Sequence, residues 1–257
     1  MAEPLLDVKD LTVRYGGVVA LSSVSMSVVA GSIVGLIGPN GAGKTTFVDA
    51  MTGFTRYSGN VVFRGVPLDR QPPHMRVRHG LARTFQSAGT FDDLTVEENL
   101  LVGERRGSSW RSTVWAVLSG RSERLRPETK RLVESLDLTD TLGIRVSELS
   151  EGHRKLVSVA QALSSGPDFV LLDEPAAGLD SSESQWLGKQ LEVVRGTGVT
   201  ILLVDHDMDL VANVCDELVV LDFGKVIGAG SPQDVLNDPR VVSAYLGTVA
   251  TKAQEPA

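Results

Sequence analysis

The stretch SIVGLIGPNGAGKTTFVDAMTG, residues 32–53, decides the fold. Its first part, SIVGLIG, reads as a buried strand that runs straight into a glycine-rich turn. Its last part predicts a helix over residues 45–51, stopped by Gly53. Between them GPNGAGKT matches the spacing G-x-x-x-x-G-K-[ST] at Gly38, Gly43, Lys44 and Thr45. The chemistry follows from the residue types. Glycines let the backbone N–H groups of a loop that includes Asn40, Gly41 and Thr46 turn inward around a polyphosphate. Lys44 neutralises the outer phosphate oxygens, and the Thr45 hydroxyl is a ligand for magnesium. A fortuitous glycine turn is the competing reading, and it would not need a strand before the loop and a helix after it.

A second helix start of similar character lies downstream, in LSEGHRKLVSVAQAL at residues 149–163. Ser150 is a capping residue, Gly152 lets a ligand approach the backbone, and His153, Arg154 and Lys155 bring positive charge. Leu156, Val159, Ala160 and Leu163 supply an apolar face at helical spacing. One chain therefore carries two anion-binding helix starts.

Around these landmarks, runs such as LLDVKDLTVRYG, VVALSSVSMSVVAG and GNVVFRG read as short strands in the first third. TVEENLLVGERR and PETKRLVESLDL read as helices, with Pro127 near a helix start. Between them Trp110 and Trp115 read as packing anchors of a helical lobe. Strands and helices then alternate through FVLLDEP, SSESQWLGKQLEVVRG, VTILLVDHD and DLVANVCD. ELVVLDFGKVIGAG predicts a hairpin, and Ser231 with Pro232 a cap and first helical residue. The pattern is that of a parallel α/β sheet with an antiparallel addition.

FVLLDEP places Asp173 and Glu174 at the end of an apolar strand. Beside a phosphate loop, Asp173 would hold the metal through water, and Glu174 would orient and polarise an attacking water. His206, ending the next strand, is placed to sense the outermost phosphate; alone it would read as a structural histidine.

Composition sets outer limits. The chain has 257 residues, enough for a substantial core. Its net charge of −7 argues against broad nucleic-acid binding. One cysteine, Cys215, excludes an internal disulfide and reads as a buried thiol. The N-terminus lacks the apolar core of a signal peptide, and no apolar run approaches the roughly 18 residues of a membrane span.

This ordered set resembles the ATP-binding subunits of ABC transporters over nearly the whole chain. The carriers are the phosphate loop, RTFQ ending at Gln86, LSEGHRK at residues 149–155, LLDEP, AGLD at residues 177–180, and His206. The resemblance implies an α/β fold of the P-loop NTPase (RecA-like) type, with a parallel sheet core, an N-terminal antiparallel β subdomain and an inserted α-helical subdomain. It implies one ATPase domain over residues 1–247. Residues 1–89 and 148–247 would form the catalytic core with its β subdomain, residues 90–147 the helical insertion, and residues 248–257 a disordered tail.

The implied cofactors are ATP and Mg2+, with Thr45, Gln86 and Asp173 as the metal set. Glu174, His206 and Gln86 form the implied catalytic group. Tyr15 would stack on adenine, Gln86 would report the nucleotide state to a membrane subunit, and Asp180 would lie at a subunit contact. In this family two ATPase units face head to tail, so Ser150 and Gly152 would serve the partner's ATP. The implied partners are membrane permease subunits, a second ABC ATPase subunit that is either a copy or a paralogue, and indirectly an extracytoplasmic solute-binding protein. No nucleic acid is expected, and the location implied is peripheral, at the cytoplasmic face of the membrane.

Two departures mark the sequence. Where the family's commonest signature is L-S-G-G-Q, Glu151 and His153 replace a glycine and the glutamine; Glu151 is expected to point outward, since an acid turned inward would repel ATP. Gln161 stands where the family usually has arginine. A finer resemblance, carried by GLARTFQ, LTVEENLLVG, DEPAAGLD, DHDMDLV and DPRVVSAYLG, points to the ATPases of branched-chain amino acid importers. Urea or amide importers, lipid or polysaccharide exporters, and soluble ABC ATPases acting on nucleic acid or ribosomes are the alternatives. A co-purifying permease separates the transporters from the last of these, and a solute-binding protein separates import from export.

Overall fold

The computed structural model describes residues 3–84, 90–104 and 124–252, with side chains through residue 245. Trp110, Trp115 and Gln86 lie outside the described residues. Strands β1 (Leu6–Tyr15) and β2 (Val18–Val28) form a hairpin, and β3 (Ile33–Ile37) leads through the glycine loop into helix α1 (Lys44–Thr52). There follow β4 (Ser58–Phe63), β5 (Val66–Pro67), α2 (Pro73–Arg78) and β6 (Leu81–Arg83). Helices α3 (Val96–Glu104), α4 (Pro127–Ser135) and α5 (Glu151–Ser164) precede β7 (Phe169–Asp173). The chain then alternates through α6 (Ser181–Gly196), β8 (Thr200–Val204), α7 (Met208–Val214), β9 (Glu217–Asp222) and β10 (Lys225–Gly230), and ends in α8 (Pro232–Leu236) and α9 (Pro239–Lys252).

Two sheets result. An antiparallel sheet has the order β2-β1-β4-β5, and a six-stranded sheet has the order β10-β9-β3-β8-β7-β6. In the second, β9, β3, β8, β7 and β6 are mutually parallel and β10 is antiparallel to β9. Every residue of β3, β7 and β8 is buried, as expected of parallel strands covered on both faces. Because side chains alternate, Ile33, Val170, Leu172, Ile201 and Leu203 face one core while Val34, Leu36, Phe169, Leu171 and Leu202 face the other. The first core is shared with Leu100 of α3, Leu187 of α6 and the predicted apolar face of α5. The second is shared with Phe47, Val48 and Met51 of α1 and with the antiparallel sheet.

The helical part is tied in closely. Gly103 of α3 leaves no room for a side chain, since an added Cβ would sit 2.2 Å from the Gln161 carbonyl oxygen of α5. Cys215 is buried, and burial pushes its thiol up to about 12. One expectation is overturned: the C-terminal helix α9 runs to Lys252, so the tail read as disordered from residue 248 is helical over its first five positions. Once Val241 and Tyr245 anchor the helix to the first core, each further turn adds a backbone hydrogen bond per residue fixed.

The far end of α1 is held by a residue the sequence did not single out. Gly53, at φ 83, ends the helix. The buried Arg76 guanidinium donates to the carbonyls of Ala50 and Met51 in α1's last turn, and to those of Leu68 and Gln71. A cation there meets the negative end of the helix dipole. Arg76→Leu should therefore lower unfolding free energy by roughly 3 kcal/mol, because several charged hydrogen bonds worth about 1.5–3 kcal/mol each leave buried carbonyls behind. Urea titration checks this, with Arg78→Leu on the exposed face of α2 as a control that should leave the midpoint unchanged.

Candidate functional site

Parallel strands deliver their loops to one edge of the sheet, and ligands bind there in open α/β folds. Along that edge lie, in order, the β9–β10 turn, the loop after β3, Asp205 and His206 after β8, Asp173 and Glu174 ending β7, and Arg83 and Thr84 ending β6. A cleft of about 430 Å³ opens here, lined by Val18, Val19, residues 40–46, Glu174 and Phe223.

The loop has the backbone its glycines promised. Gly38, Gly41 and Gly43 have φ of 149, 81 and 108. At Gly38 an added Cβ would lie 2.1 Å from the Leu221 carbonyl oxygen of β9, whereas at Gly41 it would meet nothing within 4 Å. Gly43 stands at the N-cap of α1 and gives the helix no side-chain cap. The first N–H groups of α1 therefore face the cleft, together with the positive end of the helix dipole. Thr45 is exposed at this end, and Thr46 is half-buried beside it. The Lys44 amine donates to the carbonyls of Gly38 and Pro39 at 2.6 and 3.0 Å. Burial pushes its affinity for a proton below the ordinary lysine range, and the carboxylates of Glu174, Asp173 and Asp205 oppose that shift.

The acids are fixed by long-range contacts. Asp173 is nearly fully buried, and its carboxylate accepts from Arg83 Nη2 at 2.9 Å. Glu174 adopts φ 50, a left-handed backbone uncommon for this residue type, and its N–H donates to the Val204 carbonyl at 2.7 Å. Such strained positions gather at functional sites, and this one aims the glutamate into the cleft. Buried Asp205 accepts from the N–H groups of Ala176, His206 and Asp207, which organises both acid-bearing turns. His206 itself is exposed, with Nδ1 3.7 Å from Asp205, and is not among the residues lining the cleft.

The residues around the second helix start form a separate cluster. Ser150 caps α5, accepting from the His153 N–H, and its hydroxyl lies 2.9 Å from His153 Nδ1. The His153 ring leans on Trp186 of α6 at 5.0 Å. Gly152 packs beside Glu183, where an added Cβ would be 3.4 Å from the carboxylate. Glu183 in turn completes a capping box with exposed Asp180 at the start of α6. Glu151 is half-exposed and pairs with Arg154 at 3.1 Å. None of Ser150, Gly152 or Asp180 lines the phosphate-loop cleft. Tyr15 ends β1 next to Val18 at the rim of that cleft, half exposed, with its hydroxyl donating to Thr55 at 3.1 Å.

The donor set suits a magnesium nucleotide: an uncapped helix N-terminus, a desolvated lysine, an exposed threonine hydroxyl, and two strand-end carboxylates. Among the described residues no group of three or more His, Cys, Asp or Glu side chains could enclose a metal by itself. A metal here would thus share its ligands with the phosphates. Sequence reading missed Arg83, although RTFQ was in view, and gave no role to Asp205, the first acid of VDHD, which it registers only as standing where branched-chain importer ATPases usually have glutamate before the histidine.

Comparison with known proteins gives the same picture. The family model described as ABC transporter matches residues 21–177, and one described as branched-chain amino acid ATP-binding cassette transporter matches residues 225–251. The chain is 35% identical to the high-affinity branched-chain amino acid transport ATP-binding protein BraF of Pseudomonas aeruginosa, over 96% of this chain and 99% of that one. It is 34% identical to LivG, the protein of the same description in Escherichia coli K12, with the same coverage. Among solved structures, a nucleotide-free ATP-binding cassette from an ABC transporter superposes with TM-score 0.85 at 31% identity, covering 95% of this chain and 99% of that one. The ADP conformation of such a cassette also gives 0.85 at 31% identity, covering 96% and 100%.

The loop geometry separates its glycines. Gly38→Ala forces a methyl into the β9 backbone and should reduce affinity for a fluorescent ATP analogue by well over tenfold. Gly41→Ala has space, and bears only the left-handed penalty of about 1–2 kcal/mol. Equal losses at the two positions would contradict the geometry.

Proposed function

This chain belongs to the ABC transporter family, as an ATP-binding subunit of the importer kind, and from that premise we propose that it hydrolyses ATP to drive uptake of branched-chain amino acids. The observation that carries the solute class is the match of residues 225–251, together with relatives of that description over nearly the full chain. Composition and site chemistry do not choose the solute, since the ATP-consuming end is common to the whole family.

In this reading Gly38, Asn40, Gly41, Gly43, Lys44 and Thr46 hold the polyphosphate, and Tyr15 stacks on the base. Thr45 and Asp173, with Gln86, hold magnesium, which when bound neutralises phosphate charge. Glu174, aimed into the cleft by its left-handed backbone, orients a water and takes its proton. His206 completes the site on the side of the outermost phosphate. Ser150, Gly152 and Asp180 act across a subunit boundary, on nucleotide held by a second ATPase subunit; the exposure of Ser150 and Asp180 and the separation of all three from the cleft support this.

The permease would dock in a second groove of about 410 Å³ between α2 and α5, where Phe54 and Phe91 expose apolar surface. Among the described residues no helix is long and apolar enough to cross a membrane, so attachment to the cytoplasmic face would run through the permease. A solute-binding protein would meet the permease from the other side and not touch this chain.

Deleting the gene should reduce uptake of labelled leucine, isoleucine or valine at low external concentration, and re-expression should restore it. The Glu174→Gln form should bind ATP yet fail to restore uptake, because losing a positioned base costs about 10²–10⁴-fold in hydrolysis. Unchanged uptake of all three solutes, with urea or amide uptake lost, would overturn the solute class and leave the ATPase assignment standing.

A further inference from the structure

We propose that Arg83 is a positioning residue that holds the Asp173 carboxylate in place for the cation, from inside the groove offered to the permease; this rests on Asp173 being a magnesium-binding acid in the function proposed above. Arg83 ends the short edge strand β6. Its guanidinium reaches Asp49 of α1 through Nη1 at 2.6 Å and Asp173 through Nη2 at 2.9 Å. Arg83 is 10% exposed, Asp173 4% and Asp49 31%, so little water screens the arrangement.

The next residue grips the same aspartate from the backbone side. The Asp173 N–H donates to the Thr84 hydroxyl at 3.2 Å, and the Thr84 N–H donates to the Leu171 carbonyl at 2.9 Å. Two consecutive residues thus fix both the carboxylate and the amide of Asp173. Asp49 adds a third tie, because α1 is the helix whose first turn carries Lys44 and Thr45. The cation-facing acid at the end of β7 and the phosphate-binding helix are therefore held in register by one planar fork.

Charge alone would not do this. Guanidinium offers donors in a rigid plane that can serve two carboxylates at once, whereas a lysine ammonium is a point charge on a flexible stem. Groups of this kind, one step behind a metal-binding carboxylate, set its orientation, and their loss typically costs about 10–100-fold in metal affinity. Arg83 and Thr84 also line the groove that holds Phe54 and Phe91. A segment pressing into that groove would bear on the residues that hold Asp173. The permease-facing surface and the metal-binding acid are thereby joined through one side chain.

The test measures binding of a fluorescent ATP analogue to the full chain, with magnesium titrated in and with the metal chelated. In Arg83→Gln, metal-free binding should match wild type, while the magnesium needed for half of the metal-dependent gain should rise about 10–100-fold. Removing the guanidinium leaves buried Asp173 and half-buried Asp49 without the cation they share, so Arg83→Lys, which keeps the charge without the fork, is the second variant. Its magnesium requirement should rise as well. A wild-type requirement in a folded Arg83→Lys protein would overturn the proposal. So would a loss of affinity equal with and without magnesium, the mark of a merely structural role. Wild-type protein that binds no nucleotide under either condition would overturn the parent reading, and this one with it.

Discussion

The open N-terminus of α1 is the constraint on which the rest of the structure depends. A helix start without a side-chain cap leaves its first N–H groups and its positive dipole end without compensation from the helix itself. Here it is also pressed into the middle of the protein, because α1 buries Phe47, Val48 and Met51 against the sheet. The glycines at 38, 41 and 43 bend the chain so that this end faces a cleft and not the core. The β9–β10 turn locks the bend from behind, with the Gly224 N–H donating to the Ala42 carbonyl and the Ser22 N–H to the Gly224 carbonyl. Polyphosphate is the ligand class that answers such a surface, and the acids on the neighbouring strand ends supply what phosphate chemistry then needs.

The second helix start follows the same physics with a different outcome. Its capping serine is engaged by His153, and Gly152 in its first turn packs beside Glu183 of the α6 capping box. It lies away from the phosphate-loop cleft of its own chain. Two anion-binding helix starts in one chain make sense if each belongs to a different site, completed by another subunit. Glu151, in the first turn of this helix, is half-exposed and has its charge countered by Arg154.

Much of this was legible in the residues. β3, β7 and β8 are buried on both faces, so they appear as uninterrupted apolar runs, and the glycine spacing admits few backbone solutions. The helix-terminal signals at Ser150 and Ser231 are local, so chain order alone reveals them. What was not legible is what depends on distance or brevity. Arg83 finds Asp173 ninety residues away, from an edge strand of three residues that is too short to show a period. Arg76 looks like any basic residue of a short helix until its four carbonyl partners are seen. The left-handed backbone of Glu174 has no sequence signal, because glycine, asparagine or aspartate would be the usual choice there. The helical start of the tail was missed because its composition reads as polar, whereas its anchor, Tyr245, lies before it.

The central claim is that this chain carries half of each of two composite sites. Mixed dimers test it most directly, with Lys44→Ala and Ser150→Arg placed either in opposite subunits or together in one. Placed in opposite subunits, both lesions fall in a single site and leave the other whole, so ATP turnover and one occluded nucleotide per dimer should persist. Placed in one subunit, they damage both sites, and turnover and occlusion should be lost. Equal residual turnover and equal occlusion in the two arrangements would contradict the claim.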